Sequence, residues 1–196
     1  HVVVDSTGVK VYGEGEWKTR QHGVSKRRTW RKLHLGVDEA TGEIVAMVVT
    51  SNDVADGEVL EDILEQVDNQ IDQVSTDGAY DHRHCYDEID ARGAKAVIPP
   101  RKDAKIWQHG NRKDKPHQRD ENLRSIRKHG RKRWKRDSGY HRRSIAETTM
   151  FRFKTIFGGT LSARKFDNQA VELFIKCVAL NRMIQIAKPD SYKVEV

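Results

Sequence analysis

The apolar positions of this chain form short β-branched runs in its first half and longer helical stripes in its second. Val2-Val3-Val4 is a β-branched run that stops at Asp5-Ser6-Thr7-Gly8, a turn signal. Leu33 to Val37 and Ile44 to Thr50 read as two further strands, joined by a hairpin loop at Asp38-Glu39-Ala40-Thr41-Gly42. Val59, Leu60, Ile63, Leu64 and Val67 then recur at the helical period, with Asp56 placed to cap their helix. A short strand follows at Val74 to Thr76 and ends at Asp77-Gly78. Residues 81 to 91 read as a helix, and Ala94 to Ile98 as a strand before Pro99-Pro100.

Residues 101 to 138 lose this periodicity. They are basic and polar, and read as an insertion or a mobile segment facing nucleic acid. Two helices close the chain. One runs from about Tyr140 to Phe157. The other runs from about Asn168 to Ile186 and is strongly apolar at Val171, Phe174, Ile175, Val178, Leu180 and Ile184. Early strands that look antiparallel, followed by strands alternating with helices, predict a mixed α/β sheet with helices packed on it. No internal repeat or low-complexity tract interrupts the order.

Length and composition set limits on this picture. A chain of 196 residues has room for one medium domain with a substantial core. Hydrophobic residues make up 36% and charged residues 33%, which is polar without being disorder-like. The net charge of +7 is unevenly spread. Arg101 to Arg136 holds 15 Lys/Arg against 4 Asp/Glu, and Trp17 to Lys32 holds 7 Lys/Arg and no acid. The remainder sums to −11, so an acidic body carries two basic segments. That division suits a bound polyanion, although solvated surface charge gives the same count. Cys85 and Cys177 share no metal or redox spacing, which fits a reducing, cytoplasmic setting. No stretch is apolar for long enough to span a membrane, and no signal peptide is visible. The chain opens directly on a strand, without Met, and is expected to be a fragment that lacks its natural N-terminus.

The candidate chemistry lies in three acids. Asp5 and Asp77 each follow a predicted strand, and sites in open α/β sheets gather at the carboxyl ends of strands. Convergent carboxylates repel unless a cation joins them, and hard divalent ions accept a few carboxylates plus water and phosphate. Taken singly, Asp-Ser and Asp-Gly are ordinary turn dipeptides. The helix from Tyr140 adds Arg143, Glu147 and Lys154 at offsets of 3, 7 and 14 residues. At about 100° per residue these four side chains fall within roughly 60° of arc, along about 21 Å of helix. One face thus presents a phenol, an acid and two cations. A solvated polar stripe would look the same.

The spacing Tyr140-x2-Arg143-x3-Glu147-x6-Lys154 is similar to the Tyr-Arg-Glu-Lys signature of bacterial insertion-sequence transposases of the DDE class. The opening Asp5-Ser6-Thr7-Gly8-Val9-Lys10-Val11-Tyr12-Gly13-Glu14-Gly15-Glu16-Trp17 resembles the first-acid region of the insertion-sequence-five group. Trp30-Arg31-Lys32-Leu33-His34-Leu35-Gly36-Val37-Asp38 and Asp77-Gly78-Ala79-Tyr80-Asp81 resemble further segments of that group. The resemblance runs from Val2 to about Lys176, with every landmark in order. It implies a ribonuclease H-like sheet spanning 1–196 with a basic insertion at about 101–138.

It also implies a DNA transposase core that hydrolyses a strand at transposon ends and then joins the freed 3′-hydroxyl to target DNA. Asp5, Asp77 and Glu147 would be the catalytic and metal-binding acids, holding two Mg²⁺ or Mn²⁺ ions about 3.5–4 Å apart. Their carboxyl groups are therefore expected to meet. Tyr140, Arg143 and Lys154, with Arg131, Lys132 and Arg133 of the basic segment, would contact DNA. The partners implied are double-stranded DNA and a second subunit in a synaptic complex, at the bacterial nucleoid. Such enzymes usually carry a DNA-binding region ahead of the first acid.

Other residues are open to two readings. His34 could touch substrate or serve as a structural histidine. Trp107 and Trp134 could stack on a displaced base or anchor their segment. Asp53, Asp56 and Asp81 read as turn or cap residues, and His82 and His84 lack companions at zinc spacing. A related ribonuclease H-like nuclease, or a non-catalytic DNA-binding remnant of a decayed element, remains an alternative to the transposase.

Overall fold

The structure, a computed structural model, describes residues 1–11, 30–108 and 115–187. Among these, six strands form one mixed sheet in the order β3-β2-β1-β4-β5, with β6 also on β1. The strands are β1 (Val2–Val11), β2 (Trp30–Asp38), β3 (Ile44–Ser51), β4 (Gln73–Ser75), β5 (Lys95–Val97) and β6 (Thr160–Leu161). β1, β2 and β3 are antiparallel neighbours, whereas β4, β5 and β6 enter parallel.

The antiparallel ladder changes the reading of the first acid. Asp5-Ser6-Thr7-Gly8 has turn chemistry, yet β1 runs straight through it and pairs with β2 from Val2↔Asp38 to Lys10↔Trp30. A continuous ladder outweighs a local turn preference, because each residue gains a cross-strand partner. Asp5 therefore lies within a strand.

Alternation along β1 assigns its side chains to two cores. Val2 and Val4 face the cluster built with α1 (Leu60–Glu65) and α2 (Arg83–Ala91), through Leu60, Ile63, Tyr86 and Ile89. Val3, Val9 and Val11 face the opposite cluster, built with α5 (Ser144–Phe157) and α6 (Phe166–Ile186) through Met150, Phe153, Leu173, Cys177 and Leu180. With a side-chain period of two, Asp5 shares the face of Val3, the face that α5 covers. On the other face α1 approaches closely at Gly36, where a Cβ would stand only 3.1 Å from Ile63 Cγ2.

Several expected elements are corrected. Asp56 does not cap its helix; it opens a 3₁₀ turn, Asp56–Val59, with Ala55 as N-cap, α1 follows with Val59 as N-cap, and the Asp56 carboxylate accepts a hydrogen bond from Lys32 Nζ at 3.0 Å. The stretch expected to be loose holds α3 (Gln118–His129) and α4 (Arg131–Asp137), with Arg119, Asp120, Leu123 and Trp134 buried. Its polar composition hid these helices, because much of what they bury is charge satisfied by hydrogen bonds. The helix expected from Tyr140 begins as a 3₁₀ turn, Tyr140–Arg143, and becomes α5 at Ser144. In α6 the apolar residues divide between two faces. Leu180 and Ile184 are buried, but Val171, Phe174, Ile175 and Val178 are 51–61% exposed. The segment Tyr12–Thr29, which carries most of the first basic run and the end of the first-acid motif, lies outside the described residues.

Candidate active site

The two aspartates meet through strand register. β1 and β4 run parallel with Val2↔Val74 and Val3↔Ser75. Extending that register two residues sets Asp5 beside Asp77, just where β4 ends and β1 continues. Asp77 leaves the strand as the N-cap of the 3₁₀ turn Gly78–Tyr80, and its Oδ1 accepts the Ala79 N–H at 2.8 Å. Asp5 Oδ1 accepts the Ser6 N–H at 2.8 Å. Each carboxylate is thus oriented by its own backbone through one oxygen.

The third acid arrives from α5. Glu147 stands in the first turn of this helix, four residues after Arg143. The Arg143 guanidinium bridges the constellation, donating to Asp5 Oδ2 at 2.7 Å and to Glu147 Oε1 at 2.5 Å. The Asp5 and Arg143 side chains are 15% and 18% exposed, whereas Glu147 is 58% exposed. Burial pushes the Asp5 carboxyl above the usual carboxylate range. The Ser6 N–H and Arg143 pull it back down, while Asp77 and Glu147 raise it further. The site thus holds a desolvated carboxylate with two further acids near it and Arg143 as its cation. The donors are hard oxygens from three separate elements, which is the chemistry a divalent cation requires. Their chemistry suits such an ion, while in this arrangement Arg143 is the counter-charge to Asp5 and Glu147. Among the described residues no three acid, histidine or cysteine side chains are gathered closely enough to hold a metal, and Glu147 turns to Arg143 instead.

Tyr140 packs against this bridge. Its ring lies 5.8 Å from the Arg143 guanidinium carbon and 5.9 Å from the Trp134 ring, with Lys135 Nζ 4.9 Å from its centre. Burial raises its phenol above the ordinary value, and Arg143 opposes that rise. Trp134 is 4% exposed and donates its indole N–H to Asn122 Oδ1, so it anchors α4 and is not free to stack on a base. Lys154 is exposed on α5, two turns beyond Glu147.

The basic segment sorts its cations. Arg131 turns inward and donates to the Pro100 carbonyl at 2.8 Å. Lys132 and Arg133 line an open groove with His129, Arg136 and His141. Asp137 pairs with Arg133 and Arg136, at 3.2 and 3.0 Å, and leaves the groove with a positive balance. Arg136, His129 and His141 carry no motif that marks them in the sequence; only the packing of α3, α4 and the 3₁₀ turn brings them together.

The remaining candidates settle as structural. His34 is fully buried, bonds Thr50 Oγ1 at 2.9 Å, and burial pushes its pKa down to about 4. Trp107 packs with the guanidinium groups of Arg119 and Arg83, whose carbons are 3.9 and 4.9 Å from the ring centre. Asp81 reads as a turn acid by sequence, but it is the buried partner of Arg119 at 2.6 Å. Cys85 and Cys177 are free, buried thiols raised by burial to about 12.

A mixed six-stranded sheet flanked by helices is the architecture of the ribonuclease H-like transposase core. The family model for the transposase DDE domain matches residues 1–182, and the chain belongs to that family. No solved structure matches the chain. Among the described residues no helix is long and apolar enough to cross a membrane.

Proposed function

We propose that this chain is the catalytic core, spanning 1–196, of an insertion-sequence-five type transposase acting on double-stranded DNA at the bacterial nucleoid. The observation that carries this reading is the convergence of Asp5 and Asp77 on neighbouring parallel strands, with Arg143 linking Asp5 to Glu147. Asp5, Asp77 and Glu147 are the metal-binding and catalytic acids. Two Mg²⁺ or Mn²⁺ ions bound to them would supply an activated nucleophile and charge relief at the phosphorus.

The protein's own groups do the remaining work. The Ala79 and Ser6 N–H groups fix the two aspartates through their Oδ1 atoms, and Arg143 holds Asp5 Oδ2. Glu147, on the exposed face of α5, closes the set when DNA arrives. Arg143 neutralises the acids before that point and then turns to a phosphate oxygen, where its planar fork suits bidentate contact. Tyr140 holds the Arg143 guanidinium against its ring. Lys154 supplies a point charge farther along the same strand of DNA, and the groove at Lys132 and Arg133 takes backbone phosphates. The same acids serve strand hydrolysis and the later attack by the freed 3′-hydroxyl.

Glu147→Gln keeps size and removes charge. The variant should lose at least about 100-fold in Mg²⁺-dependent cleavage of a transposon-end duplex, as expected when a metal ligand is removed. Cleavage at the wild-type rate would remove Glu147 from the site. Strand transfer into a supercoiled plasmid distinguishes a transposase from a nuclease of the same fold.

A further inference from the structure

The α6 helix is apolar on two sides. Gln169, Leu173, Cys177, Leu180 and Ile184 are buried against the sheet. Val171, Phe174, Ile175 and Val178 lie on the opposite side, 56%, 56%, 61% and 51% exposed. At about 100° per residue, these four share one arc with Asp167 and Arg182, roughly opposite the buried stripe. A surface helix normally carries polar residues there, and a helix that is apolar all round is normally covered.

The order of that outer stripe is the informative part. Read outward from the midpoint between Phe174 and Ile175, it is symmetric: Phe174 and Ile175, then Val171 and Val178, then Asp167 and Arg182. Apolar residues match apolar ones at equal distances, and an acid at one end matches a base at the other. Asp167 and Arg182 are exposed, about 22 Å apart along the helix axis. Neither forms an ion pair with any described residue.

We infer that the occupant of this face is a second copy of the same chain, bound through α6 in an antiparallel two-fold pair. Crossing two such helices at Phe174/Ile175 sets each Val171 against the other copy's Val178. It also sets each Asp167 against the other copy's Arg182, twice over by symmetry. A two-fold interface must be complementary to itself, and this stripe has that property in its charges as well as its apolar residues. Parallel pairing would instead oppose like charges at both ends. The pairing needs no DNA and places two copies of the candidate site in one particle.

Because one helix per subunit makes a small interface, association should be weak, in roughly the micromolar range. The test is sedimentation equilibrium of the purified chain, without DNA, across that range. Wild-type protein should show a monomer–dimer equilibrium. Asp167→Arg and Arg182→Asp should each weaken the dimer by roughly tenfold or more, since each change replaces attraction by repulsion at both symmetric ends. The combined Asp167→Arg/Arg182→Asp variant should restore association to near the wild-type level. Circular dichroism should be unchanged throughout, because both residues are exposed. A chain that stays monomeric, or a charge swap that fails to restore the dimer, overturns the inference and leaves the face to another segment or another protein. Cleavage by monomeric protein would leave the active-site reading intact, and a dimer without cleavage would leave this one intact.

Discussion

Removing Arg119 should cost this protein much of its stability, through a buried acid that no sequence pattern advertised. Asp81 is 1% exposed at its side chain and Arg119 is 6% exposed, with Nε and Oδ1 at 2.6 Å. Asp81 also accepts the Arg101 N–H at 3.0 Å, and Arg119 donates to the Lys105 carbonyl at 2.8 Å. The pair thus ties the stretch between Arg101 and Trp107, together with α3, to the turn that follows Asp77. Arg119→Ala would leave a carboxylate buried without its counter-charge, a loss of roughly 3–5 kcal/mol. It would also remove the guanidinium from the Trp107 face, worth about 0.5–2 kcal/mol. For a chain of this size each kcal/mol lowers the melting temperature by about 2–4 °C, so the two losses together predict a fall of roughly 7–28 °C. Urea unfolding of wild type, Arg119→Ala and the double variant Asp81→Leu/Arg119→Met is the assay. The double variant should be less damaged than Arg119→Ala, because no charge is stranded. A loss under about 1 kcal/mol for Arg119→Ala, or a double variant worse than the single, would refute the reasoning.

Three further outcomes follow from the site and its flanks. Asp5→Asn should abolish cleavage yet raise the melting temperature at neutral pH. Since burial raises the folded pKa of Asp5, the folded state is favoured by its proton and penalised as pH climbs through that raised value; the gain from Asn should therefore shrink as pH falls toward 3.8, and a gain independent of pH would count against it. His34 is held neutral, with its pKa lowered to about 4, so the unfolded chain binds a proton that the folded one refuses. Stability should decline as pH falls from about 6.5 to about 4, by up to about 3 kcal/mol, and His34→Gln should flatten that acid limb in pH-dependent unfolding. Replacing Lys132, Arg133 and Arg136 with Ala should weaken DNA binding and reduce the slope of log affinity against log salt by about 0.9 for each phosphate no longer neutralised, read by fluorescence anisotropy. An unchanged slope would remove the groove from the DNA path.

Much of this protein is written locally. The β-branched runs, the helical stripes and the punctuation at Asp38–Gly42 place five of the strands and most helices, because a period of two or 3.6 follows from which side chains meet the core. The family spacing selected Asp5, Asp77, Glu147, Tyr140, Arg143 and Lys154 as the candidate site. What they do to one another required the fold. Asp5 reads as a turn residue until the β2 ladder makes it a strand residue and the β4 register brings Asp77 beside it. Tyr140 and Arg143 read as one turn of a long helix until the 3₁₀ turn gives them a different pitch from Glu147. The burial of charge at Asp81, Arg119 and Asp120 has no sequence signal, since a charged residue looks exposed until its partner, 38 residues away for Asp81, closes over it. The outer face of α6 is the reverse case: its apolar residues look like core by sequence, and only the packing of the sheet against the other side leaves them uncovered. Local pattern determines which elements form, because periodicity is a property of neighbouring residues. Pairing register, counter-charge and exposure belong to contacts between distant ones, and only the tertiary structure decides those.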